Sequence, residues 1–218
     1  MRIFVTGASG WIGSAVVPEL IGAGHRVLGL ARSDASAEAV AGMGADVLRG
    51  DLTDAGILRA GTLDSDGVIH LVFMPGRPGF EAAVQADAAA IETFADSLAG
   101  SGKPMLISGA TMVTPGRPAV HVKDAASLYR LAVEQAPAGA VLNAVGDEGV
   151  PVRQIAEAIG RNLNLPARSL PAEEYAGMLV PLLSTDMPAS STITQDLLGW
   201  KPTHPGLIAD IEQGHYFT

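Results

Sequence analysis

Apolar positions in the first hundred residues come as short unbroken runs separated by stretches with helical spacing. Residues 2–6 place Ile3, Phe4 and Val5 in succession with no polar alternation, which predicts a strand buried on both faces. Over 12–23 the apolar residues Ile12, Val16, Val17, Leu20 and Ile21 recur on one helical face, and Gly22 and Gly24 stop the helix. Pro18 lies in the second turn, where its missing N–H costs less than in mid-helix. The rhythm then repeats as strand 26–30, helix 36–43, strand 46–49, a weak helix around Leu58, strand 67–73, an alanine-rich helix 80–98 and strand 104–108. Strands and helices alternating at this spacing predict a parallel sheet with right-handed crossovers.

Beyond Ser108 the pattern changes. Residues 109–118 read as a loop rich in Gly, Pro and Thr, and 124–135 as a helix with Asp124 or a near neighbour at its N-cap. A strand is expected at 141–145, a turn at 146–149, and a helix at 151–163 with Pro151 in the first helical position. Helices at 172–183, 192–198 and 205–216 complete the chain, the second ended by Gly199. No repeat or low-complexity linker marks a domain boundary.

The turn between the first strand and first helix, Gly7-Ala-Ser-Gly10-Trp-Ile-Gly13, carries the first functional signal. Gly7 permits a tight turn, Gly10 lets backbone approach a pyrophosphate, and Gly13 lets the helix pack closely on the sheet. The helix N-terminus then faces the phosphates with free N–H groups and the positive end of its dipole. Gly7, Ser9, Gly10, Trp11, Ile12 and Gly13 are therefore candidate dinucleotide contacts. The expected fold class is α/β: a Rossmann-like doubly wound parallel sheet over 1–145, with a small C-terminal α-rich cap over 146–218 that is not clearly a separate domain.

Bulk properties narrow the field. With 218 residues, 48% of them hydrophobic and 17% charged, the chain can bury a substantial core. The net charge of −9 argues against nucleic acid or an anionic membrane as a partner, so phosphate binding must be local. No cysteine is present, which excludes disulfides, thiolate metal sites and a cysteine nucleophile. The initial apolar run is too short for a signal peptide core, and no stretch reaches the length of a membrane span, so a cytoplasmic location is expected. No two histidines have metal-ligand spacing, and no metal site is expected; His70 and His121 read as packed residues.

Five motifs occur in order: the glycine turn, Gly50-Asp51-Leu52-Thr53-Asp54, Val68-Ile-His-Leu-Val-Phe73, Val120-His-Val-Lys-Asp124-Ala-Ala126 and Leu198-Gly-Trp-Lys-Pro202. Together they resemble the extended, epimerase/dehydratase-like branch of the short-chain dehydrogenase/reductase superfamily. The resemblance implies that Asp51 and Leu52 meet the adenine, that Val72 and Phe73 cover the nicotinamide-side ribose, and that Ser108 or Thr111 supplies a catalytic hydroxyl. For Asp51 the alternative is a cap on the following turn, and for the hydroxyls a bond to a local carbonyl. After the second strand the chain offers Arg32 and Ser33, a pair suited to a 2′-phosphate, so NADP is expected, with NAD the alternative; Asp34 beside them argues the other way.

The family's catalytic tyrosine and lysine, four residues apart on one helix, have no counterpart here. Tyr129 is followed by Val133 and Tyr175 by Leu179. Only 109–119 separate the fifth strand from the Val120 motif, too few for a helix and a strand, so the junction at Arg117-Pro118-Ala119 reads as a deletion. The loss would leave a strand edge uncovered and expose a stripe of Phe80, Val84, Ile91 and Phe94, with a rebuilt or swapped homodimer as one consequence. The leading expectation is an NAD(P)-binding oxidoreductase-like protein acting on a small carbonyl or alcohol, with Thr111, Tyr175 or water as substitute proton donor. The alternatives are a non-redox cyclase, lyase or isomerase, and a cofactor-binding sensor or scaffold.

Overall fold

The computed structural model describes residues 1–73, 79–109, 117–171, 174 and 189–217. They group into two compact units, one formed by residues 1–109 and 126–138, the other by 110–125 and 139–218.

The first unit is built on five parallel strands in the order β3-β2-β1-β4-β5. These are β1 (Arg2–Thr6), β2 (Arg26–Ala31), β3 (Asp46–Arg49), β4 (Gly67–His70) and β5 (Met105–Ile107). The chain starts in the middle of its own sheet, with Phe4 opposite Leu28 on one side and Val68 on the other. Strand alternation then sorts the side chains into two cores. Ile3, Val5, Val27 and Ile69 face Val16, Val17 and Leu20 of α1 (Gly13–Gly22), Val40 of α2 (Asp34–Gly42), and Ala126 and Val133. Phe4, Leu28, Leu30 and Val68 face Leu58 of α3 (Ala55–Leu63) and Ala90, Phe94 and Leu98 of α4 (Phe80–Leu98). Two covered faces are what a sheet of unbroken apolar runs requires.

Helix α5 (Val122–Gln135) begins in one unit and ends in the other. Its Arg130 reaches Glu19 of α1 at 2.7 Å, and Glu134 takes a bond from His25 at 2.8 Å. The second unit holds an antiparallel pair, β6 (Arg117–Ala119) with β7 (Asp147–Val150), together with α6 (Val152–Leu163), α7 (Thr192–Leu198), α8 (Leu207–Glu212) and a 3₁₀ turn at His215–Phe217. Trp200 is fully buried there, its indole N–H donating to the Asp124 carbonyl at 3.0 Å. No helix among the described residues is long and apolar enough to cross a membrane.

Several expectations need correction. The strand foreseen at 67–73 stops at His70: Leu71 still donates to Thr6, but β1 ends there and offers the next residues no ladder. Helix α2 starts two residues earlier than its apolar pattern suggests, because Ser33 and Ser36 bond each other's backbone N–H in a capping box. Residues 141–145 form no strand; Val141 is 85% exposed and the Asn143 N–H goes to Thr194 Oγ1 at 2.8 Å. The ladder lies instead at Asp147–Val150, in the stretch read as a turn, paired with Arg117–Ala119 in the stretch read as a loop. The last helix is interrupted at Gly214, whose φ is +78°. Of the stripe on α4, Phe80 and Val84 are exposed while Phe94 is fully buried. The helix expected at 172–183 lies outside the described residues, apart from Glu174.

Candidate functional site

The glycine turn follows β1 directly. Gly7 has φ +72°, and a Cβ on it would stand 2.9 Å from the Val72 nitrogen, so the chain just past β4 runs too close for any side chain. A Cβ on Gly13 would lie 2.1 Å from the Gly7 carbonyl oxygen, which shows how tightly the first turn of α1 seats on the loop. Gly10 donates to the Gly7 carbonyl at 2.9 Å and closes the turn. Trp11 is 71% exposed and Ile12 is the N-cap of α1.

From this turn a cavity of about 200 Å³ runs along the C-terminal ends of β1, β2 and β3. It is lined by Gly7, Ser9, Leu30, Arg32, Ser33, Ser36, Gly50, Asp51, Leu52 and Val72. Seven of the residues named from sequence thus meet around one space, while Gly10, Trp11, Ile12, Gly13 and Phe73 stand outside the lining, Phe73 edge-on to Phe80 at 6.0 Å. Leu30, Ser36 and Gly50 join without having been foreseen; the three-residue spacing of Ser33 and Ser36 was the available signal for one of them.

The lining combines two kinds of chemistry. Backbone dominates at the glycine turn, as the approach of a pyrophosphate requires. Around the start of α2, Arg32, Ser33 and Ser36 share the lining with Asp51 and Leu52. Asp51 Oδ1 accepts from the Thr53 N–H at 3.0 Å and its hydroxyl at 2.8 Å, which is the turn-capping arrangement. Those bonds, helped by the charge of Arg32, hold its pKa below the usual carboxylate value. The residues present therefore fit a dinucleotide: a cradle that a Cβ would fill, an apolar cover in Leu52 and a cationic rim.

Beyond Val72 the strands converge on a polar network. His70, at the end of β4, bonds Thr6 Oγ1 at 2.6 Å and Asp87 of α4 at 3.0 Å. Burial outweighs the Asp87 bond and holds the imidazole below its ordinary pKa, so it sits neutral. Ser108, following β5, donates to the His70 carbonyl at 3.1 Å, and its oxygen lies 2.6 Å from the Tyr129 hydroxyl. Burial pushes the Tyr129 pKa up against the opposing effect of the Ser108 bond. Thr111 lies outside the described residues.

The second unit gathers a different cluster. Although no metal site was expected from sequence, His121, Asp124 and His204 come together with one ligand atom from each within 4.8 Å. Asp124 accepts from the N–H groups of Thr203 and His204, both at 3.0 Å, and from the His204 ring at 2.8 Å. Burial alone would raise its pKa, but these bonds together hold it below the usual carboxylate value. The two imidazoles stack with centroids 4.4 Å apart and ring planes 5° from parallel, so their in-plane lone pairs do not converge. The cluster acts as a polar staple between the start of α5 and residues 203–204.

Residues 3–93 match the profile of the NAD dependent epimerase/dehydratase family. The whole chain also aligns with the uncharacterised protein C2A9.02 of Schizosaccharomyces pombe at 32% identity, covering 100% of both over 295 residues. The chain belongs to the NAD dependent epimerase/dehydratase family. Two solved structures share the epimerase/dehydratase fold. The UDP-glucose 4-epimerase of Bifidobacterium longum, solved with NAD+ and UDP, superposes with TM-score 0.71 at 12% identity, over 99% of this chain and 98% of that one. The NADPH-dependent quinone oxidoreductase QOR2 of Escherichia coli gives 0.63 at 17%, over 99% and 100%.

Proposed function

We propose that this family member binds NADP in the cavity of the first unit and works as an NAD(P)-dependent oxidoreductase-like protein on a small carbonyl or alcohol. The observation that carries the reading is the lining of that cavity, where Arg32, Ser33 and Ser36, around the start of α2, stand together with Gly7 and Ser9 of the glycine turn. A guanidinium beside a helix N-terminus suits a 2′-phosphate better than a ribose hydroxyl. Calorimetry with NADPH and NADH tests it: tighter NADPH binding is expected, and tighter NADH binding overturns the cofactor choice.

A bound nicotinamide would supply or accept the hydride. The chain's own part is to orient the dinucleotide by the glycine turn, to cover the adenine with Leu52 and to handle a proton beside the reacting carbon. Ser108, bonded to the His70 carbonyl and Tyr129, is our choice for the catalytic hydroxyl that the family resemblance assigns to Ser108 or Thr111. Tyr129 itself has no lysine four residues on, and its raised pKa leaves it a weak proton donor. The alignment over 295 residues, against 218 here, supports the reading that the relative carries a segment that this chain lacks. Losing a positioned acid lowers turnover by roughly 10²–10⁴.

The missing pair favours a second reading, that of a cofactor-binding sensor or scaffold. Following NADPH absorbance against a panel of aldehydes and ketones separates the two. Slow turnover that disappears in Ser108→Ala supports the oxidoreductase, whereas tight NADPH binding without turnover supports the sensor.

A further inference from the structure

Asp34 stands one residue beyond Ser33, where a carboxylate would ordinarily bond a ribose hydroxyl and repel a 2′-phosphate. It is absent from the cavity lining, although Arg32, Ser33 and Ser36 all belong to it. Its partner is Arg49, the last residue of β3, whose guanidinium donates to Asp34 Oδ1 and to the Ser33 carbonyl, both at 2.7 Å. The sheet register makes this reach possible: Arg49 lies opposite Ala31, the last residue of β2, so its side chain meets the corner where β2 turns into α2.

We propose that Arg49 is a positioning residue for cofactor choice: it draws the Asp34 carboxylate off the ribose edge and cancels its charge, leaving the corner to a 2′-phosphate. The inference rests on the NADP reading above. One guanidinium fork holds both a side chain and the backbone of the residue before it, and so fixes the direction in which Asp34 leaves the helix start. Asp34 is 94% exposed and Arg49 about half exposed, so the pair adds little to folding stability. Its effect falls on binding, where a dianionic phosphate would otherwise meet an uncompensated carboxylate. A purely structural Arg49 would show the opposite pattern, with a changed melting temperature and both cofactors weakened alike.

The test is the ratio of NADPH to NADH affinity, measured by calorimetry on the full chain with thermal melting in parallel. Arg49→Ala lowers the ratio by about tenfold with little change in melting. Arg49→Lys keeps the charge but loses the fork, and lowers the ratio less. Asp34→Asn in the Arg49→Ala background restores most of the ratio, because the carboxylate that Arg49 restrained is gone. An unchanged ratio in Arg49→Ala, or no recovery in the double variant, overturns the proposal. Tighter NADH binding by the unmutated chain overturns the NADP reading instead, while the recovery experiment still decides whether positions 34 and 49 act as a pair.

Discussion

In the five-stranded unit large apolar side chains do the holding: Phe4, Phe94, Ile3, Leu20, Leu58 and Ile69 are all fully buried, on both faces of the sheet. In the second unit Trp200 stands alone among the largest fully buried side chains of the described residues, and carboxylates take over. Asp124 gathers Thr203 and His204, Asp147 accepts the Leu207 N–H at 2.7 Å, and Asp210 accepts the Tyr216 hydroxyl. The contrast shows two ways of fixing a fold. A sheet covered on both sides spreads its stability over many interchangeable contacts, while the described part of the second unit places more of it in a few bonds whose loss strands several partners at once.

The contrast breaks most easily at its strongest points. Phe94→Ala removes a ring packed edge-on against Phe4 at 6.1 Å and His70 at 5.3 Å, and denaturant titration should show about 3–5 kcal/mol of lost stability in the sheet unit. Asp124→Ala leaves the N–H groups of residues 203 and 204 without acceptors and should cost about 2–3 kcal/mol. Hydrogen exchange should show that loss concentrated at residues 200–204, with the sheet amides still protected; uniform loss of protection would erase the distinction. Ser33→Ala removes the cap of α2 at about 1 kcal/mol, and should weaken NADPH binding more than it lowers stability.

Titration separates the units more gently. His70 has a folded pKa below its unfolded value, so the unfolded chain takes up the proton first and stability declines as pH falls below the ordinary imidazole range. Asp124 is also depressed, and its contribution is complete above the ordinary carboxylate pKa and fades as pH falls through the lower folded value. The sheet unit should therefore lose protection at a milder pH than residues 200–204. His70→Gln should remove the earlier loss and leave the later one.

Legibility in the sequence follows the same divide. β1, β3 and α4 fall where the apolar runs and glycines place them, since parallel strands buried on both faces announce themselves locally. β7 was hidden because Gly-Asp-Glu-Gly is turn chemistry, and only a partner some thirty residues away makes it a strand. The cavity was partly legible for a related reason. Gly7, Arg32 and Asp51 advertise themselves by motif, while Arg49 matters only through the register that sets it beside Ala31. Asp124 carried a helix-cap signal and was read as one, but its oxygens look to residues far down the chain.

The return of the chain through α5 has a consequence for the order of synthesis. Ala126 and Val133 close the same core that Ile3 and Val5 open, so the first strand made waits for one of the later helices to finish its cover. A growing chain that has just released β5 carries an apolar sheet face that α1 and α2 cover only in part. At the usual pace of translation that state lasts for roughly a few seconds. In that interval Ile3 and Val5 rely on α1 and α2 alone for their cover.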